Sequence, residues 1–155
     1  TPDLVTYGSK KKVWWRCKQG HTWQASICTR TGNGTSCPVC AGKMPVAGEN
    51  DLQSRYPELA RERHPTRNEI TPQQVTPYAN RKVWWKCKLG HSYQAMISAR
   101  SMSGTGCPYC AGRKVLSGFN DLATLHPKIA KQWHTTLNGT LTPDSVTVGS
   151  HRKVW

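Results

Sequence analysis

Cys17, His21, Cys37 and Cys40 stand as a C-x3-H pair followed, after fifteen intervening residues, by a C-x2-C pair. Cys87, His91, Cys107 and Cys110 repeat the set in the same order. Thiolates and imidazole suit a d10 zinc ion, and four protein ligands leave no position open for water. Two such sets predict two Zn2+ ions, one per complete repeat, that hold structure and activate nothing. Disulfides are the competing chemistry. The seven cysteines are an odd number, six of them fall in the two sets, and a disulfide needs no histidine at fixed spacing. Metal is the stronger reading, and such sites fit a reducing, intracellular compartment. His64 and His134 also recur and compete with His21 and His91 as fourth ligands; their other reading is a cation at a helix end. Cys28 has Ser98 as its counterpart, so it lies outside the shared set and reads as a small, half-buried strand residue.

The elements that must position these ligands repeat as well. Val13 to Gly42 and Val83 to Gly112 are identical at 18 of 30 aligned positions. Within each copy a V-W-W run suits a strand. A turn through Gly20 or Gly90 follows, where glycine supplies a positive φ. A second strand is expected over residues 22–29 and 92–99, and loops rich in Gly, Ser, Thr and Asn over 31–36 and 101–106. After each C-P-x-C pair comes a helix with Asn120 or Asp121 as its N-cap and Leu122, Leu125, Ile129, Ala130 and Trp133 at helical spacing. Pro57 and Pro127 fall too deep for a first turn, so two short helical pieces or a kinked helix are expected. Strand neighbours face opposite ways. One ring of Trp14-Trp15 and of Trp84-Trp85 therefore faces the core and the other faces out, either packed under the preceding repeat or free to stack on a base.

The lead-in T-P-D-L-V-T-Y-G-S-K-K-K recurs as T-P-D-S-V-T-V-G-S-H-R-K before Val154-Trp155. The reading is a section of an array, cut from something longer: repeat 1 over residues 1–70, repeat 2 over 71–141, and the start of a third over 142–155. The fold class is small zinc-stabilised α+β in tandem repeats, each a knuckle hairpin, a second Cys-x2-Cys knuckle and a helix. Units of this size need a staple beyond their apolar core, and structural zinc supplies roughly 10–16 kcal/mol in small finger peptides.

The chain carries 155 residues and a formal charge of +14, and two Cys3His zinc sites would leave it at +12. Such a field favours a polyanion. Cations cluster around the first ligand pair: Lys10, Lys11, Lys12, Arg16 and Lys18, then Arg81, Lys82, Lys86 and Lys88. Arg113 and Lys114 follow the second pair. Recurrence at one phase predicts a basic stripe on successive phosphates. Arg30 and Arg100 sit between the ligand pairs, beside Thr31, Asn33, Ser101 and Ser103, where the copies differ. A fixed scaffold with changing small polar residues is how a modular reader addresses bases, and the unchanged Arg100 suits a phosphate. With eight acidic residues and no paired carboxylates or Ser-His-Asp order, an enzyme is not expected. No apolar run approaches the ~18 residues of a membrane span.

Together, W-W-x-C-x-x-G-H, G-x-x-C-P-x-C-A-G, N-D-L-x-x-x-x-P and T-P-x-x-V make the chain resemble the zinc-ribbon, or treble-clef, tandem repeat family. The resemblance covers nearly the whole chain. It implies zinc at Cys17, His21, Cys37 and Cys40 and at Cys87, His91, Cys107 and Cys110. Members of that family are often joined to endonuclease-like domains and are inferred to bind DNA. The resemblance therefore implies a modular, double-stranded DNA-binding array that targets a larger protein, with further repeats or an effector domain as partners. Zinc-stabilised protein-interaction or spacer arrays, and RNA or single-strand binding, are the alternatives. Arg63 departs from the family's usual Trp, which Trp133 keeps.

Overall fold

The computed structural model describes residues 4–155. Strands β1 (Lys12–Arg16) and β2 (Thr22–Ser26) form one antiparallel hairpin, with Trp15 opposite Trp23. Strands β3 (Lys82–Lys86) and β4 (Ser92–Met96) form the other, with Trp85 opposite Tyr93. Gly20 and Gly90 take φ of +90° and +85° in the tight turn that ends each first strand, a region that favours glycine.

The second strands are shorter than the sequence predicts. They stop at Ser26 and Met96, and the chain winds into α1 (Ile27–Thr31) and α4 (Ile97–Ser101). Ser26 explains the switch in the first copy: its hydroxyl accepts from the Thr29 N–H, an N-cap that satisfies an orphan donor. Cys28 consequently lies half-buried on a helix and not on a strand.

The helix after each second ligand pair is broken in two, as the prolines require. α2 (Leu52–Arg55) and α3 (Pro57–Arg61) meet at Tyr56, and α5 (Leu122–Leu125) and α6 (Pro127–Ala130) meet at His126. A residue before proline is pushed out of the helical region, so Tyr56 sits at φ −139° and ψ 66°. The proline then opens the next helix at its first position, where a missing N–H costs nothing. Asp51 and Asp121 are the N-caps, fully buried, each accepting from the backbone and hydroxyl of Ser54 or Thr124 in its first turn and from the N–H of Gly48 or Gly118 before the helix. Asn120 does not cap the helix. Its side chain bridges Leu116, Tyr109 and Lys114, tying the second ligand pair to the helix.

The packing unit is out of phase with boundaries drawn at 70 and 141. The principal core joins Leu52 and Ala60 from the helix pair to Val75, Val83, Trp85, Tyr93, Ile97 and Cys107. That unit runs from α2 to the second ligand pair of the following copy. The joint continues as main-chain pairing. Arg63 forms an antiparallel bridge to Trp85, His64 N–H donates to the Trp84 carbonyl, and Lys86 N–H donates to that of Glu62. Segment 62–64 therefore acts as a third strand on the outer edge of β3. Tyr78 of the second copy lies on Gly42 of the first, where a Cβ would meet its ring at 2.5 Å.

A zinc-loaded fragment of residues 50–114 should accordingly melt cooperatively. A fragment of residues 71–141, which lacks Leu52 and Ala60 over Trp85, should be less stable by at least about 2–5 kcal/mol, the usual cost of deleting one large core side chain. Denaturant unfolding of the two fragments checks the phase of the unit. Equal stability would favour units bounded at 70 and 141 over a unit in this phase.

Candidate metal centres and the basic surface

Each hairpin turn delivers a Cys and a His to the C-x2-C loop of its own copy. In the first copy the Cys17 and Cys40 sulfurs lie 3.8 Å apart, and His21 Nδ1 is 3.3 Å from both and 3.7 Å from Cys37 Sγ. The second copy repeats this, with 3.8 Å between Cys87 and Cys110 and 3.3 and 3.7 Å from His91 Nδ1 to Cys110 and Cys107. Tetrahedral zinc at about 2.3 Å from sulfur and 2.0–2.1 Å from nitrogen implies edges of roughly 3.8 Å between sulfurs and 3.6 Å between sulfur and nitrogen. All ligand atoms of each cluster lie within 4.8 Å of one another. The geometry fits one zinc ion per cluster, bound through the histidine Nδ1.

His64 and His134 are at the joints and not at the metal. The His64 backbone pairs with Trp84, and its Nδ1 accepts from the Thr66 N–H. Burial, with Arg67 and Lys86 nearby, lowers its pKa, which disfavours the charged form that a helix-end cation requires.

Three thiols in one cluster cannot all ionise without a cation. Burial raises the Cys17 thiol, but backbone N–H groups near Gln19 and His21 and the neighbouring thiols outweigh it and bring it to about 7. Burial and the thiols of Cys37 and Cys17 push Cys40 up to about 11. In the second copy burial and the same kind of neighbours push Cys110 up to about 12. A coordinating thiol is deprotonated outright by its metal, so zinc binding must expel these protons and weakens as pH falls.

A sequence profile of the family described as "Probable Treble clef zinc finger domain" matches residues 1–43, 59–113 and 129–155. The chain belongs to that family. The middle segment starts in α3 and ends just past the second ligand pair, in phase with the packing unit. None of the curated proteins compared with the chain matches it. The treble-clef domain thus carries two zinc sites, one in each complete copy, on a small α+β scaffold.

The two sites differ beyond their ligands, which sequence reasoning missed. His21 Nε2 donates to Glu49 Oε1 at 2.6 Å. The residue equivalent to Glu49 is Phe119, whose ring meets that of His91 edge-on at 4.2 Å between centroids. The signal was present as G-E-N-D against G-F-N-D in the aligned copies. A carboxylate behind a ligating histidine fixes its tautomer and raises its basicity.

The predicted nucleic-acid residues separate into two groups. Lys10, Lys11, Lys12, Arg16, Lys18, Arg81, Lys82, Lys86, Lys88, Arg113 and Lys114 are all exposed, and among the described residues none is within ion-pair distance of a carboxylate. Lys12 and Arg16, and Lys82 and Lys86, alternate with inward-facing Val and Trp and so share the outer face of each hairpin. Asn33 and Ser103 are exposed in their loops.

Arg100 is a correction. Its side chain is only 7% exposed, its guanidinium pairs with Glu62 and donates to the Thr105 carbonyl, and it lies 5.0 Å over the Trp85 ring. Arg30 repeats this over Trp15 and Trp23 at 5.1 and 5.3 Å and donates to the Thr35 carbonyl. Both cations lie on ring faces and donate to loop carbonyls; Arg100 is also paired with Glu62, whereas Arg30 is half-buried without a carboxylate partner among the described residues. Ser101 Oγ donates to carbonyls of the fold, including that of Ile97, and Thr31 Oγ1 does the same toward Ile27 and Tyr7.

Two measurements check this site. Glu49→Gln should weaken zinc at the first site roughly 10–100-fold and leave the second unchanged, read by competition with a chromophoric chelator. Arg100→Ala should cost about 2–3 kcal/mol of stability, because it uncovers the Trp85 ring and removes the donor to the Thr105 carbonyl and to Glu62, read by denaturant unfolding.

Proposed function

We propose that the chain is a double-stranded DNA-binding array that positions a larger protein, in which zinc supplies rigidity and the exposed cations supply affinity. The observation that carries this reading is the outer face of the two hairpins. Each presents two cations at alternate positions, Lys12 with Arg16 and Lys82 with Lys86, flanked by more exposed Lys and Arg. Gln24 and Gln94 lie exposed on the partner strands, opposite Trp14 and Trp84. A two-stranded ribbon fits the major groove of B-DNA, and glutamine is a bidentate reader of adenine.

Binding and not catalysis is the expected role. Four protein ligands close each zinc site to substrate. Five of the eight carboxylates are spent on structure: Asp51 and Asp121 cap helices, Glu62 holds Arg100, Glu58 holds Arg61, and Glu49 holds His21. At Trp84 duplex is favoured over single strands, whereas the outward Trp14 ring is exposed. The outward ring of Trp84 lies under the Arg67 guanidinium, at 4.8 Å, so it is not a free platform for a base. Among the described residues, no helix is long and apolar enough to cross a membrane.

The test is binding to a labelled duplex across salt concentrations. Neutralising roughly 4–8 phosphates predicts a slope of about −4 to −7 in log affinity against log salt. Replacing both Lys12 and Lys82 by Ala should reduce that slope by about 2, with zinc content unchanged. A salt-independent affinity, or no binding at low salt, would sink the proposal. Tighter binding to single-stranded than to duplex DNA would favour the single-strand alternative.

A further inference from the structure

Segment 62–64 pairs with the outer edge of β3, and the residues that follow it are fastened to the same strand by Asn68. The Asn68 side chain donates to the Trp84 carbonyl, accepts from the Trp84 N–H, and donates also to the His64 carbonyl. A side-chain amide can donate and accept at once, so it satisfies both outer backbone groups of one strand residue. This clamp fixes the residue before it, Arg67, whose guanidinium lies 4.8 Å over the Trp84 ring. The clamp recurs where Asn138 pairs with Trp155. The stacked cation does not recur, because the counterpart of Arg67 is Leu137. The clamp itself therefore does not need it.

Arg67 belongs to the preceding copy, yet it stands on the outer face of the second hairpin. Lys82, Trp84 and Lys86 are the outward set of β3, and both lysines are exposed. Arg67 is exposed too, and among the described residues no carboxylate lies within ion-pair distance of these three cations. Burial lowers the His64 pKa, and Arg67 and Lys86 lower it further, which places the two cations around one imidazole. A cleft of about 480 Å³ opens at the same joint, lined by Arg61 and Pro65 from one copy and Lys86 and Lys88 from the next. Its carboxylates are already engaged, Glu58 by Arg61 and Glu62 by Arg100. Uncompensated positive charge from two copies thus meets across one joint. Stacking spends one face of the Arg67 guanidinium and leaves its in-plane donors free, the fork that matches a phosphate. A side chain already held on a ring also loses less freedom when it binds.

We infer that Arg67 is a phosphate contact lent to the second hairpin by the preceding copy, and that through it, with Lys82 and Lys86, duplex binding closes the joint between the copies. It rests on the duplex-binding role proposed above and adds to it a residue and a coupling. A ligand that binds the closed joint better than the open one stabilises the closed joint by mass action. The amides of His64 and Lys86 report on that closure, since they donate across the joint to the carbonyls of Trp84 and Glu62.

Duplex titration of the zinc-loaded full chain tests the contact. Arg67→Leu installs the residue that stands at the equivalent place in the next copy. It should weaken binding roughly five- to tenfold near about 0.1 M salt and lower the salt slope by about 0.9. The loss should be the same on duplexes of unrelated sequence, since phosphates carry no sequence information. Two bound zinc ions and an unfolding midpoint close to that of the unaltered chain verify the fold. Arg67→Lys keeps the charge without the planar fork, so it should keep the slope and recover only part of the affinity. Amide hydrogen exchange tests the coupling. Saturating duplex should slow exchange at His64 and Lys86 in the unaltered chain. Arg67→Leu should reduce that slowing by the factor it loses in affinity, because linkage is reciprocal. If the unaltered chain binds duplex and Arg67→Leu binds it as tightly with the same slope, this inference is overturned and the duplex-binding role stands. If the unaltered chain binds no duplex, both fall. Equal slowing of the two amides in both proteins overturns the coupling.

Discussion

Trp85 is shut off from solvent by groups that come from the preceding copy. Leu52 and Ala60 lie in its core, the Arg63 backbone pairs with it, and Arg100 lies over its ring and reaches across to Glu62. A domain of about 60 residues buries too little surface to be secure by apolar packing alone. Here zinc pins the ligand loops, and the neighbouring helix pair closes what zinc leaves open. Trp15, against which no helix pair packs among the described residues, is only partly buried, and the core around it is Trp23, Cys37 and Val39. The repeat therefore behaves as other stacked repeats do: each unit's stability contains a nearest-neighbour term.

This dependence explains which features the sequence revealed. Local chemistry was legible: the four ligands, the glycine turns, the proline break between α2 and α3, and the inward and outward rings of each tryptophan pair. These depend on spacing and backbone sterics within a few residues. The phase of the unit was not, because a repeat read from sequence has a period but no origin. The origin is set by which copy Leu52 packs into, and nothing within residues 44–70 states that. The split of the second strand at Ser26 was hidden for a related reason. Alternating side chains run on past the point where one hydroxyl caps a turn.

Arg100 marks the limit of reading a recurring cation as a ligand contact. Its invariance between copies suited a shared phosphate, and it serves a shared ring. A guanidinium stacks on an aromatic face while donating in its own plane, so it can complete the burial of a tryptophan at the rim of a metal site as no lysine would. The lysines that remain exposed are the ones without a planar partner. Composition alone could not divide the two, since both raise the net charge equally.

The two zinc sites carry this logic one step further. Their ligand atoms superimpose in spacing, yet Glu49 lies behind one histidine and Phe119 behind the other. A carboxylate stabilises the imidazole as a donor to metal by accepting from its far N–H; an aromatic edge can restrict the ring without accepting that proton. Glu49 also removes one positive-charge equivalent from a surface whose proposed work is to meet phosphate, and Phe119 does not. Within one fold, then, the residue behind the histidine trades tightness of the metal against the field around it. That trade can vary from copy to copy because the four ligands and the joint, and not this residue, hold the unit together.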